Sequence, residues 1–348
     1  MNRRLKAWLF PGMALLLAAA AGCTPALQRH GAVVAQPALT ESALLTADGE
    51  KLPLKRWLPE SAPRAVIVAL HGFNDYSNAF DGPGRYWAAH GIATYAYDQR
   101  GFGGAPERGI WADFQTLQSD VLAAAAAVRR AHPGTPIYLL GESMGGAELL
   151  AMFARRPVPE GVAGIVLAAP AVWARDTMPL YQRVALWMGS YTIPWLAVRP
   201  PPGIKIQASD NIEMLRALGR DPLVIHDTRI DALHGLTDLM DAALGASSSF
   251  KVPSLVLFGA NEQVVPKKPM ELALAALPVD GPRIAVYPDG WHMLLRDLKA
   301  DIVLADIAAW IADPDAPLPS GQERRRAGTP ADRQTANADA GAAAIPGR

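Results

Sequence analysis

One pentapeptide limits what this chain can fold into more than any other feature. Gly141-Glu142-Ser143-Met144-Gly145 directly follows the apolar run Pro136-Ile137-Tyr138-Leu139-Leu140 and precedes the helical pattern Ala147-Glu148-Leu149-Leu150-Ala151-Met152-Phe153-Ala154. A short apolar run that ends in G-x-S-x-G reads as a buried strand turning sharply into a helix, with the serine at the apex. Gly141 and Gly145 leave room for a strained turn beside its neighbours, and Gly146 extends that tolerance. The strain lifts the Ser143 hydroxyl to where a base can reach it.

The surrounding pattern fits such a turn. Runs at 65–70, 93–97, 137–140, 164–169, 254–258 and 283–287 are continuously apolar rather than alternating. That suits parallel strands covered on both faces. Helical patterns lie between them, notably the alanine-rich stretch from Thr116 to His132. The alternation predicts an α/β fold with a mostly parallel, doubly wound sheet. Asp48-Gly49, inside the stretch from Ala43 to Trp57, predicts a hairpin and an antiparallel edge at the start of the sheet. Residues 172–236 break the rhythm with Trp173, Tyr181, Trp187, Tyr191 and Trp195, then Pro200-Pro201-Pro202-Gly203. They read as a helical cap whose apolar face packs over the site.

A serine hydroxyl needs a base to become a nucleophile. Of the 7 histidines, His30 lies in a linker, His90 and His132 end helices, and His226 and His234 fall in or beside the cap. His71 follows the strand at 65–70, and His292 follows the last apolar strand, in Tyr287-Pro288-Asp289-Gly290-Trp291-His292. Loops beyond the carboxyl ends of parallel strands are where such sheets place chemistry, so His292 is the candidate base. A base needs a carboxylate to hold its tautomer and stabilise the imidazolium. Glu262 is the carboxylate in the loop after the strand at 254–258, with Asp289 the nearest spare acid.

These stretches resemble the monoacylglycerol lipase and lysophospholipase branch of the α/β-hydrolases, over roughly Leu45 to Ile311. Leu70-His71-Gly72-Phe73, Asp98-Gln99-Arg100-Gly101-Phe102-Gly103, Gly141 to Gly146, Gly259 to Pro266 and His292-Met293-Leu294-Leu295-Arg296-Asp297 carry the resemblance. It implies Ser143 as nucleophile, His292 as base and Glu262 as acid, where the family usually has aspartate. Glutamate is one methylene longer, so its loop must sit slightly farther back. The backbone N–H groups of Phe73 and Met144 are expected to form the oxyanion hole, with His71 orienting that loop. Asp98 and Arg100 are expected to be structural, and Glu142 to support the elbow or the pocket entrance. The implied activity is hydrolysis of carboxylic esters, monoacylglycerols or lysophospholipids foremost. A small-ester esterase or a peptidase on the same fold remains open, as does a non-catalytic binding lipoprotein.

The two ends carry a different signal. Arg3, Arg4 and Lys6 precede an apolar stretch from Trp8 to Ala21, broken by Pro11-Gly12. It is shorter than the roughly 20 residues of a membrane span and reads as an export signal over residues 1–22. The sole cysteine, Cys23, follows Ala20-Ala21-Gly22, which resembles the lipobox of bacterial lipoproteins. That resemblance implies lipidation at Cys23, a linker over 23–44, and an enzyme held in the cell envelope, at the periplasmic side of the outer membrane. The main domain is expected over 45–312. Residues 313–348, rich in Pro, Ala, Gly, Asp and Arg, read as disordered. The chain of 348 residues has a formal net charge of +0 and no basic stripe interleaved with aromatics, which argues against nucleic acid as a partner. It has no H-E-x-x-H, P-loop or dinucleotide fingerprint, and the expected mechanism needs neither metal nor cofactor.

Overall fold

A computed structural model describes residues 24–199 and 206–324. The export signal, Cys23, Pro200 to Gly203 and the greater part of the C-terminal tail lie outside the described residues.

In chain order the strands are β1 (Leu27–Gln28), β2 (Ala38–Leu39), β3 (Ala43–Leu45), β4 (Lys51–Trp57), β5 (Ala65–Leu70), β6 (Ile92–Tyr97), β7 (Trp111–Ala112), β8 (Ile137–Glu142), β9 (Val162–Ala168), β10 (Ala197–Val198), β11 (Thr228–Arg229), β12 (Ser254–Gly259) and β13 (Arg283–Tyr287). The α-helices are α1 (Asp81–Ala89), α2 (Phe114–Ala131), α3 (Met144–Phe153), α4 (Leu180–Thr192), α5 (Ile212–Leu218), α6 (Ile230–Ala246), α7 (Lys267–Ala276) and α8 (Ala300–Ala312). Nine strands form the main sheet in the order β13-β12-β9-β8-β5-β6-β4-β3-β2. From β6 to β13 the neighbours pair in parallel, and β4, β3 and β2 add an antiparallel edge.

Burial explains the unbroken apolar runs. Every residue of β5, β6, β8 and β12 is buried. In β5, Val66, Val68 and Leu70 enter one core with residues of α2, α3 and α6. Ala65, Ile67 and Ala69 enter the other, with Trp87 of α1 and Trp310 of α8. Two covered faces leave no solvent side for polar residues to occupy.

The structure corrects several expectations at the margins. Residues 23–44 are not simply a linker. β1 pairs in parallel with β7, the buried Gln28 side chain donates to the Ile110 carbonyl at 2.8 Å, and β2 extends the sheet beyond β3. Two-residue strands have no periodicity to read, so this was invisible in the pattern. The tail is ordered at its start. Leu318 is buried, the Ser320 amide donates to Asp306 at 2.9 Å, and the Arg324 amide donates to the Ile284 carbonyl at 2.8 Å. Hydrogen bonds to the sheet hold this polar segment, which composition does not reveal. The cap gives way to the sheet-covering layer earlier than residue 236, because α6 starts at Ile230 and packs on α3. Finally, the apolar stripe of α4 and of the turn after it is not packed away. Tyr181, Trp187, Met188, Tyr191 and Trp195 are all exposed.

Candidate active site

The strand-to-helix turn is as tight as its glycines require. Ser143 sits between β8 and α3 at φ 52°, ψ −107°, a left-handed conformation that costs a non-glycine residue about 1–3 kcal/mol. A Cβ on Gly145 would lie 2.5 Å from the Leu70 carbonyl oxygen, and one on Gly141 would lie 2.3 Å from the Gly145 backbone. Neither position tolerates a side chain, so the helix starts hard against the neighbouring strand. The Ser143 amide donates to Ala168 at 2.9 Å, and its carbonyl accepts from Ala171 at 2.9 Å. The apex is therefore braced from β9 and the loop after it.

Three side chains far apart in sequence converge there. The Ser143 hydroxyl donates to His292 Nε2 at 2.9 Å, and His292 Nδ1–H donates to Glu262 Oε2 at 2.6 Å. The second carboxylate oxygen of Glu262 accepts from the amides of Val264 at 2.6 Å and Val265 at 3.0 Å. The carboxylate is thus pinned from its own loop while it fixes the imidazole tautomer. The Asn261 amide donates to Gly290 at 2.9 Å, and that of Ala260 to Tyr287 at 2.9 Å, which knits the acid loop to the histidine loop. Asp289 takes no part. It is exposed and paired with Lys299 at 2.6 Å.

The loop after β5 lies against the serine. A Cβ on Gly72 would be 3.4 Å from Ser143 Cβ and 4.0 Å from its Oγ. Among the described residues, the Phe73 and Met144 amides appear in no backbone hydrogen bond, and Met144 opens α3. A free amide at a helix N-terminus carries partial positive charge. Behind them His71 is fully buried. Its Nδ1–H donates to the Gly72 carbonyl at 2.8 Å, and its Nε2 accepts from the Gln99 amide at 2.9 Å. Burial pushes its pKa down, so the ring is neutral with both nitrogens committed. It holds the loop and has no free nitrogen for proton transfer. Asn74, at φ 66°, donates to Thr228 at 2.7 Å and accepts from the Ile225 amide at 3.0 Å, which ties this loop to the cap.

Asp98 accepts from the Ser77 amide at 2.9 Å and the Gly104 amide at 2.8 Å, and so orders a turn. Arg100 reaches Asp120 of α2 at 2.7 Å and Asp48 in the β3–β4 turn at 2.7 Å. Its charge holds the Asp48 carboxyl below the usual carboxylate range despite burial. Both residues serve architecture.

Sequence reasoning quoted Arg296 in the stretch from His292 to Asp297 but gave it no role. Its guanidinium lies 2.8 Å from Asp75, in the loop after β5, and 3.2 Å from Glu142, the residue before Ser143. Burial pushes the Glu142 carboxyl up, and Arg296 opposes that shift. One cation thus joins the serine turn, the loop after β5 and the histidine loop. An arginine closing the apolar run Met293-Leu294-Leu295, four residues beyond the candidate base, was the available signal. Next to it, Asp297 accepts from the Trp291 amide at 2.8 Å and the Ser209 hydroxyl at 2.6 Å. The Gln207 amide donates to the Gln263 side chain at 3.0 Å. The cap is therefore bonded, through its segment at 207–209, to both the acid and histidine loops.

Residues 61–299 match the family described as serine aminopeptidase, S33. The chain is 26% identical over 284 residues to a monoacylglycerol lipase of Mycolicibacterium smegmatis, covering 78% of this chain and 96% of that protein. It is 26% identical over 275 residues to the human monoglyceride lipase, covering 77% and 89%. Among solved structures, the monoacylglycerol lipase of Paleococcus ferrophilus superimposes with a TM-score of 0.61 at 21% identity, covering 75% of this chain and 98% of that one. A soluble variant of the Saccharomyces cerevisiae monoglyceride lipase, in complex with a substrate analogue, gives 0.65 at 17% identity over 78% and 96%.

Proposed function

This chain belongs to the serine aminopeptidase S33 family, within the α/β-hydrolase fold, and on that premise we propose that it is a serine ester hydrolase acting on monoacylglycerols or lysophospholipids. The observation that carries the reading is the unbroken chain of hydrogen bonds from Ser143 through His292 to Glu262 at the carboxyl edge of the sheet.

In this mechanism Ser143 Oγ attacks the ester carbonyl as its proton passes to His292 Nε2. The C–O bond to Ser143 forms, and the carbonyl oxygen becomes an oxyanion held by the Phe73 and Met144 amides. One such donor is typically worth about 3 kcal/mol in the transition state. The intermediate collapses when His292 returns the proton to the leaving alcohol and the original ester bond breaks. Water then attacks the acyl-enzyme, loses its proton to His292, and releases the acid and the free serine. Glu262 holds the imidazole and stabilises its cationic form.

The substrate class rests on the relatives, which are named for monoacylglycerols and align with this chain along most of their length. The location follows the reading of Cys23: acylated there, the protein is held in the cell envelope beside lipid substrates, at the periplasmic side of the outer membrane. A fluorophosphonate probe is expected to label the protein and to lose that label in Ser143→Ala. Hydrolysis of glycerol and p-nitrophenyl esters of increasing acyl length is expected to favour decanoyl over acetyl. The reverse preference would reassign the enzyme to small esters. The mass of the mature N-terminal peptide tests acylation at Cys23, and an unmodified peptide refutes it.

A further inference from the structure

The loop after β5 is held from the core on one side and from the cap on the other. On the core side, the Gly72 carbonyl accepts from His71 Nδ1–H at 2.8 Å and from the Asp75 amide at 3.2 Å. The second bond closes a turn whose central residues are Phe73 and Asn74. Of the pair, Asn74 alone has a positive φ, 66°. That is the form of a type II turn, which takes glycine or asparagine at this position. A trans peptide points its N–H opposite to its C=O, so the hold on the Gly72 carbonyl also aims the Phe73 amide. The Phe73 ring is seated as well, edge-on to Phe102 at 5.6 Å and tilted against Trp111 at 6.1 Å.

On the other side, bonds run to cap residues between 221 and 228. The Asn74 side-chain amide donates to the Thr228 hydroxyl at 2.7 Å, its carbonyl accepts from the Ile225 amide at 3.0 Å, and the Tyr76 hydroxyl donates to Asp221 at 2.7 Å. Thr228 is buried in β11, which pairs with β10 and runs directly into α6. In turn α6 packs on α3, the helix that begins at the serine turn. The acceptor for Asn74 is therefore fixed relative to Ser143. Glycine at residue 74 would satisfy the backbone at no steric cost. What asparagine adds is the side-chain bond to the cap.

We infer that Asn74 is a positioning residue for ester hydrolysis: anchored to Thr228 and Ile225, it fixes the turn that aims the Phe73 amide at the developing oxyanion, so the seating of the cap contributes to transition-state stabilisation. The inference rests on the reading of Ser143 as nucleophile and of Phe73 as an oxyanion donor. Asn74 acts through Phe73.

Asn74→Gly keeps the turn and deletes only the side-chain amide. It is expected to lower kcat about tenfold, part of the roughly 10²–10³ lost with a whole donor, while KM stays within about twofold. An alkyl trifluoromethyl ketone supplies a second readout. Ser143 Oγ bonds its carbonyl carbon, the hydroxyl proton passes to His292, and the carbonyl oxygen becomes an oxyanion. Its affinity is expected to fall by the same factor as kcat. Thr228→Val removes the acceptor from the cap side and should match Asn74→Gly. The double variant should lose no more than either single one, because both delete one bond. Thr228→Ser, which keeps the hydroxyl, should restore the rate. Normal kcat in Asn74→Gly, a loss confined to KM, unchanged inhibitor affinity, or losses that multiply in the double variant each overturn the inference. Hydrogen exchange at the Asp75 amide, which closes the turn, reads the loop whether or not the chain hydrolyses esters. Faster exchange is expected in Asn74→Gly, and unchanged exchange overturns the inference. A wild type with no ester turnover and no inhibitor binding, in which exchange still depends on Asn74, counts against the proposed activity and leaves the hold of the cap on the turn standing.

Discussion

Arg296 lies 3.2 Å from Glu142, the residue that precedes Ser143, and so couples the histidine loop to the turn that carries the proposed nucleophile. The same guanidinium reaches Asp75 at 2.8 Å. Removing it leaves two buried carboxyls without their cation, a defect typically costing about 3–5 kcal/mol. Arg296→Met is expected to lower both stability and kcat, with KM changing less. Arg296→Lys, which keeps the charge but not the fork, is expected to recover part of each. Urea unfolding with steady-state kinetics checks the pair.

Glu262 is expected to be needed as a carboxylate and not only as a hydrogen-bonding group. Glu262→Gln presents an amide to His292 Nδ1 and favours the wrong tautomer. Turnover should fall by about three to four orders of magnitude with folding intact. Asp289→Asn, which breaks only an exposed pair with Lys299, should leave kcat unchanged. Kinetics of both variants on one ester decide between the two carboxylates.

The strain at Ser143 gives a stability test. Ser143→Ala and Ser143→Gly both delete the hydroxyl and its bond to His292, but only glycine relaxes φ 52°, ψ −107°. The relief of about 1–3 kcal/mol exceeds the usual glycine entropy cost of about 0.5–1 kcal/mol. Ser143→Gly is therefore expected to melt above Ser143→Ala by calorimetry.

Asp297 gives a pH signature. Burial raises its pKa to about 6, against the lowering effect of its hydrogen bonds from Ser209 and Trp291. The ordinary unfolded value is near 3.9. The folded protein therefore binds this proton more tightly. Stability from this group is present below about pH 4 and is lost as pH rises through about 6. Asp297→Asn removes that dependence. The difference in urea midpoint between wild type and variant should change between pH 4 and 6.5 and level off above, in a titration of unfolding against pH.

Much of the sheet was legible because its strands are buried on both faces. The run at 65–70 coincides with β5, whose residues are all apolar and buried. Such strands must be apolar throughout, and that writes their position into the sequence. β1, β2 and β7 are two residues long and left no comparable trace. The apolar period of α4 was visible, yet it located a stripe without saying what lies against it. A helix seated through Gly189 turns that stripe outward, and no local pattern encodes the seat.

By itself, the sequence determined the serine turn, because only glycine at 141 and 145 permits the approach of α3 to β5. It also supplied the residue types and chain order of the proposed nucleophile, acid and base. Tertiary structure alone decided that Ser143 and His292, 149 positions apart, meet at 2.9 Å, that Glu262 rather than Asp289 faces the imidazole, and that Arg296 binds three loops together. Those outcomes depend on how distant loops stack at one sheet edge. Hydrogen-bond geometry across that edge is a property of the packed whole, which short-range periodicity does not carry.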